Sequence, residues 1–421
     1  MMLPNSMRAL QYRNFRLYFG GQAISLIGTW MQRIVVSWLI YTLTHSAFML
    51  GIVAFAGQIP TLLLSPYAGS YVDRHSRYKT LLFTQIASMI QAGILAALVI
   101  TGTHTVNSII VLSVLLGIIN AFDTPARQSF MIVLVEKKDD LPNAIALNSS
   151  MVTLARLAGP AVAGILLSSF GEGVCFFINF LSFIAVIVSL LFMKIKVPPA
   201  KTIKEPIWEN LKEGYQYLQH SKGIRSAILL IALISFFVMP YNTLFPVYAQ
   251  QVFKGNVTTF SWLNSIAGLG ALMGAVYVAT LKPGKDFLKI ITWSNVLTSV
   301  CIIFFSYMQN LWIGLAIIML GESGLLALIA STNTYIQTHV EERMRGRVIS
   351  YYVMAFLGIQ PIGSLVTGYL AHKTSAPFTL LLEGIAGIIS VTAFIPAFKK
   401  AGMGKVMNPA IEKYIPKNPF K

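Results

Sequence analysis

Charge is what this chain has least of. Of 421 residues, 11% are Asp, Glu, Lys or Arg, and only 15 are acidic. A soluble domain typically carries about 25% charged residues. With 55% hydrophobic residues and a mean hydropathy of +0.68, a water-solvated fold is excluded, and the solvent must be largely lipid. Cysteine is almost missing: Cys175 and Cys301 both fall in apolar segments, so no disulfide framework is available. The six histidines lack metal-ligand spacing, and no nucleophile elbow is present. No G-x-x-x-x-G-K-[ST] loop appears, which argues against ATP-driven chemistry. Period-2 alternation is absent too. Helices therefore remain as the membrane-crossing element, because lipid leaves no backbone group unpaired.

What is present is a series of twelve apolar stretches, near 17–43, 47–70, 79–101, 106–130, 144–170, 173–193, 226–250, 259–281, 287–307, 310–336, 347–371 and 376–397. Each is long enough for the roughly 20 helical residues that cross a ~30 Å hydrocarbon layer. The first is too long for a signal-peptide core and no small-residue cleavage pattern follows it, so it reads as a retained span. The net charge of +17 comes from basic residues gathered on one side rather than from a nucleic-acid surface. With the N-terminus inside, the inner segments hold Arg8, Arg13, Arg16, Arg74, Arg77, Lys79, Lys137, Lys138, the cluster Lys194 to Arg225, Lys282, Lys285, Lys289, Arg343, Arg345, Arg347 and the tail. The outer loops hold only Lys254 and Lys373. That asymmetry places both termini in the cytoplasm, with the protein in the inner membrane.

The expected organisation is all-α: a six-helix bundle over 1–193, a cytoplasmic linker over 194–225, a second six-helix bundle over 226–398 and a basic tail over 399–421. Within the linker Ile207, Leu211, Tyr215 and Leu218 form one apolar stripe, the pattern of a helix lying on the inner membrane surface. An internal repeat supports the division. At an offset of 205, Val135-Glu136 falls on Val340-Glu341; at 204, Gly159 and Gly164 fall on Gly363 and Gly368.

Between the second and third stretches lies Gly69-Ser-Tyr-Val-Asp73-Arg74-His75-Ser76-Arg77-Tyr78-Lys79. It resembles the G-x-x-x-D-R-x-[GS]-R-[RK] loop of the major facilitator superfamily at Gly69, Asp73, Arg74, Ser76, Arg77 and Lys79. The resemblance implies twelve helices in two pseudo-symmetric bundles and a conformational latch at Gly69, Asp73, Arg74 and Arg77, with Gly69 allowing close helix approach. Its counterpart in the second half, Leu281 to Lys285, lacks the Asp-Arg pair. Ala155-Arg156-Leu157-Ala158-Gly159-Pro160, running on to Gly164, partly resembles the G-x-x-x-G-P-x-x-G-G motif of drug–proton exchangers, with Ala155 in place of the first glycine. This implies a hinge at Arg156, Gly159, Pro160 and Gly164. The stretches Gly21 to Arg33 and Asp123-Thr124-Pro125-Ala126-Arg127 resemble the branch that holds enterobactin exporters and macrolide efflux pumps.

Six charged side chains fall well inside the spans: Arg33, Asp123, Arg127, Arg156, Glu322 and Glu383. A charge there costs at least about 2.5–3.5 kcal/mol and needs a partner, water or a function. Glu322, mid-span, is the leading proton carrier and Asp123 its rival, although Arg127 one turn on is placed to keep Asp123 ionised. Glu383 reads as structural. Gln22, Gln32, Arg33, Arg127, Tyr241, Asn242 and Asn333 are candidate substrate-cavity residues, the seventh stretch being broken by Pro240 and Pro246. The expected function is proton-coupled export of a small siderophore-like or drug-like molecule by alternating access. The expected partners are protons, the substrate and the bilayer, with no cofactor or metal, no nucleic acid and a monomer by default. The alternatives are a metabolite importer of the same fold, a non-transporting membrane sensor and an intramembrane enzyme.

Overall fold

Backbone in hydrocarbon must bond to itself, and this chain does so as helix. The computed structural model describes the backbone of residues 5–195, 207–281 and 286–403, without the side chains at 5, 6, 66, 73, 138, 207–211 and 399–403. The Asp73 side chain, the linker over 196–206, Lys282 to Lys285 and the tail beyond 403 lie outside the described residues. Among those described, eleven helices are long and apolar enough to cross a membrane. Spans 1 to 4 are Arg13–Thr44, Ala47–Arg74, Arg77–Ile100 and Val106–Met131. Spans 7 to 12 are Lys222–Val252, Val257–Ala279, Phe287–Ser306, Leu311–His339, Glu342–Lys373 and Ala376–Met403.

The remaining helix, Leu141–Leu191, has 51 residues. At about 1.5 Å per residue it would be more than twice the depth of the hydrocarbon. Gly171 divides it, with φ 80° and ψ 178°, a conformation open essentially to glycine alone. Both outer ends return to the start of span 1. The Ala9 N–H donates to Asn143 Oδ1 at 2.8 Å, and Asn14 Nδ2 donates to the Lys194 carbonyl at 2.9 Å. Residues 141–170 and 172–191 are therefore a hairpin, spans 5 and 6, and the chain crosses twelve times as expected.

Helix starts carry their own punctuation. Ser46, Ser76, Asn256 and Asn310 accept bonds from the first free N–H groups of spans 2, 3, 8 and 10. Thr105 and Ser108 form a capping box at span 4.

Packing repeats at an interval of six spans. Span 2 packs on 4 as 8 packs on 10, and span 3 on 4 as 9 on 10. The halves meet through spans 2 and 11 and through spans 5 and 8. The turns before spans 5 and 11 are both short 3-10 helices, Lys138–Asp140 and Glu342–Met344. The repeat-matched glycines occupy equivalent contacts. A Cβ at Gly164 would lie 2.6 Å from Ser261 Cβ of span 8, and one at Gly368 would lie 2.6 Å from the Ala47 carbonyl of span 2.

A segment preceding each half clasps the matching turn. In the first, the 3-10 helix Asn5–Gln11 and Tyr12 converge on buried Asp140: Tyr12 Oη at 2.7 Å, Gln11 Nε2 at 2.9 Å and Arg8 Nε at 3.8 Å. In the second, the linker helix Ile207–His220 sets Glu213 against Arg347 and Arg343, and Tyr217 Oη accepts from the Glu341 N–H. This fixes the roll of the linker helix; of its expected stripe, the side chains at 207 and 211 lie outside the described residues. Tyr215 points outward, 55% exposed, while Gly214 and Leu218 face the protein, Gly214 packing on Tyr351.

Spans 2 and 11 close at the end opposite the basic loops. A Cβ at Gly51 would sit 2.6 Å from the Ser364 carbonyl, and Phe48 packs on Tyr369 with ring centroids 5.8 Å apart. Trp38 of span 1 stacks on Phe260 of span 8 at the same end, centroids 5.6 Å apart. Overpacking there should cost about 1–3 kcal/mol. Gly368→Leu is therefore expected to lower the thermal midpoint in detergent and to expose a cysteine placed at Phe48 to an impermeant maleimide. An unchanged labelling rate would show that this contact does not hold the end shut.

Candidate functional site

Span 7 cannot remain a regular helix. Pro240 and Pro246 each remove an N–H, and the chain passes from α-helix (Lys222–Phe237) to a 3-10 turn (Met239–Leu244) and then to a π turn (Tyr248–Val252). The break aims Tyr241 inward, where its hydroxyl donates to Glu322 Oε1 of span 10 at 2.7 Å. Both residues are 2% exposed. The other carboxylate oxygen faces Arg156 of span 5, with Nη2 to Oε2 at 3.7 Å. Glu322 thus joins a broken helix of its own half to a cation of the other half.

Arg156 was expected as part of a hinge; the structure sends its side chain to this ionic contact instead. Its guanidinium lies 5.9 Å from the Trp30 ring centroid, and that of Arg33 lies 4.7 Å from the same ring. The neighbouring glycines explain the placement. A Cβ at Gly159 would lie 2.5 Å from Trp30 Cβ, and Gly164 packs on Ser261 across the halves. Pro160 is buried in the same helix. The small residues bring span 5 against spans 1 and 8, which carries Arg156 to the midline.

Asp123 sits in a separate cluster inside the first half. It is 2% exposed, and Oδ1 accepts from Thr84 Oγ1 at 2.9 Å and from Gln85 Nε2 at 2.7 Å, both of span 3. Its other oxygen pairs with Arg127. With its acceptors occupied and a guanidinium alongside, Asp123 ties span 4 to span 3. Arg127, named as a cavity residue, is committed to that pair.

The other cavity candidates have these surroundings. Gln32 is buried in an amide chain: its Nε2 donates to Gln91 at 3.0 Å, and its Oε1 accepts from Asn179 at 2.7 Å. Spans 1, 3 and 6 are joined there. Gln22 is buried at 1% exposure, its Nε2 without a hydrogen-bond partner among the described residues. Asn333 accepts from exposed Gln337 on its own helix at 3.0 Å, and Asn242 is exposed beside buried Tyr241. Of the seven, Arg33 and Tyr241 join the Glu322 cluster.

At the latch, a Cβ at Gly69 would meet nothing within 4 Å among the described residues. Arg74 is exposed, and Arg77 Nη1 donates to the Ser129 carbonyl of span 4 at 3.4 Å, within the same half. Glu383 accepts from Thr367 through Oε1, while buried Oε2 has no hydrogen-bond partner among the described residues.

Sequence reading missed Trp30 as the shelf for both arginines, although the residue stood in a quoted stretch. It also missed the Gln32–Gln91–Asn179 chain. Its signal was present as three amides in apolar runs on separate spans.

The profile of the transmembrane secretion effector family, a group of major facilitator transporters, matches residues 5–411. The chain belongs to that family. It is a multi-pass membrane transporter of the export type, not an enzyme. A staphyloferrin A transporter of Staphylococcus aureus is 26% identical over 388 residues, covering 90% of this chain and 95% of the relative. Macrolide efflux protein A of Streptococcus pyogenes is 23% identical over 384 residues, covering 89% and 94%. A POT family transporter crystallised with 5-aminolevulinic acid shares the fold at TM-score 0.74 and 12% identity, covering 93% of this chain and 97% of that one. A bacterial homologue of the iron transporter ferroportin in an inward-facing state does so at 0.72 and 16%, covering 92% and 98%.

The Asp123–Arg127 pair gives a stability test for this secretion-family member. Asp123→Ala leaves Arg127 without its acid and should cost about 3–5 kcal/mol, the usual penalty for breaking a buried pair. Thermal unfolding of the detergent-purified protein reads it, and Asp123→Ala with Arg127→Ala should recover most of the loss. A double variant as unstable as the single one would mean that the stranded Arg127 charge is not the source of the loss.

Proposed function

We propose that this transporter exports a small organic molecule, siderophore-like or drug-like, in exchange for protons by alternating access in the cytoplasmic membrane, with both termini inside. One observation carries the reading: the buried Glu322 carboxylate lies at the contact between the halves, held by Tyr241 on one side and facing Arg156 on the other. An intramembrane carboxylate in such a position marks an ion pathway by default. A proton on Glu322 cancels its attraction for Arg156 and weakens one of the ties between the halves. The tie belongs to this arrangement of the halves, so protonation has the differential effect on two states that coupling requires. With the basic loops in the cytoplasm, the Gly51–Gly368 contact is an outer gate, and the described conformation is closed to the outside.

The relatives supply the two substrate classes, since one is named for staphyloferrin A and another for macrolides. Everted membrane vesicles test the coupling, with labelled staphyloferrin A and labelled erythromycin as tracers. Uptake should follow an imposed pH gradient and collapse with a protonophore. Glu322→Gln should lower gradient-driven uptake at least about tenfold while leaving tracer exchange without a gradient. Tyr241→Phe, which keeps the ring and removes the donated bond, should shift the pH profile of transport. A Glu322→Gln protein that answers the gradient like the parent would remove this residue from energy coupling.

A further inference from the structure

The midline cluster holds two guanidinium groups and one carboxylate. Glu322 faces Arg156, while Arg33 is in no ion pair with an acid among the described residues and lies over the Trp30 ring. The accessible surface is divided the same way. Arg33 is exposed and the Arg156 side chain is 35% exposed, whereas the Glu322 side chain is 3% exposed. Cationic groups therefore form the open face of the cluster, with the carboxylate behind them.

The geometry points to a two-arginine clamp, Arg33 and Arg156 over Trp30, that takes the carboxylate group of an anionic organic substrate. The inference rests on the export reading above and names its substrate class.

Three features fit a carboxylate. A guanidinium offers five N–H donors in a planar fork that matches two carboxylate oxygens. Arg156 spends little of that capacity on Glu322, since the single contact at 3.7 Å lies outside ordinary hydrogen-bond length. The indole lies within cation–π range of both guanidinium groups, 4.7 and 5.9 Å from centroid to carbon, which restrains both side chains near one shelf. A bound carboxylate brings the local count to two cations and two anions. It also supplies Arg156 with a replacement counter-ion when the halves rock and carry Glu322 away. Arg127, also well inside the spans of this half, has no such freedom, being paired with Asp123.

The test uses the purified full-length protein in nanodiscs, with citrate as the probe, its trimethyl ester as the uncharged control and erythromycin as the cationic one. Isothermal titration at constant pH, without a gradient, should show citrate binding and no ester binding. Arg33→Gln and Arg156→Gln should each weaken citrate at least about tenfold, and Arg33→Lys should restore part of the loss. Glu322→Gln removes the competing acid and should tighten citrate severalfold, a result that a merely structural role for the arginines would not give. A thermal midpoint for each variant confirms folding. Equal binding of citrate and its ester, undiminished citrate binding by Arg33→Gln, or binding of erythromycin with none of citrate would each overturn the clamp. Because no gradient is used, failure of Glu322 as the proton carrier in vesicles leaves the citrate result standing, and the two readings fail separately.

Discussion

A charge placed in hydrocarbon must find an opposite charge, a polar group or water, and that demand organises the interior of this transporter. Asp123 and Arg127 answer it within one helix and recruit Thr84 and Gln85 from the next. Glu383 answers it with the Thr367 hydroxyl. Arg156 and Glu322 answer it across the midline. Arg33 is left with an aromatic face and an accessible surface. The first two arrangements fasten helices within a half. The third fastens the halves to each other, and the fourth is open. The gradation from closed to open pairs separates groups that hold the bundles together from groups free to change partners.

The second organising device is the duplicated contact between halves. Gly164 on Ser261 and Gly368 on Ala47 occupy matched positions in a repeat of the same unit. Each lets a span of one half lie close against the second span of the other half, Gly368 on backbone and Gly164 on the small Ser261 side chain. Apolar side chains gain little from meeting each other in lipid, so close backbone approach and polar contacts supply the association. Such contacts are short-ranged. The clasp segments ahead of each half do the opposite work. Asp140 and Glu213 bind the turns before spans 5 and 11 with several polar contacts each, which ties each connecting segment to one bundle.

The route from break to site is equally local. Pro240 and Pro246 disrupt span 7 whatever surrounds it, but the disruption has a use only because Tyr241 then reaches Glu322. Gly159 likewise carries meaning only with Trp30 against it, since that contact seats span 5 where Arg156 reaches the cluster.

Composition, apolar run length and the placement of basic residues settled the membrane class, the helical architecture and the twelve crossings, because these depend on solvent and on local backbone bonding. Even the hairpin between spans 5 and 6 had a local signal in Gly171. The six intramembrane charges were legible for the same reason, each being costly wherever it points. Their partners were not legible. Gln32 and Arg33 are adjacent in sequence, yet one is buried in an amide chain with Gln91 and Asn179 while the other is exposed beside Trp30. Helix rotation turns neighbours by about 100°, and what each then meets is set by the packing of helices distant in the chain. Which charges are spent on pairing and which stay open was therefore decided by tertiary structure alone.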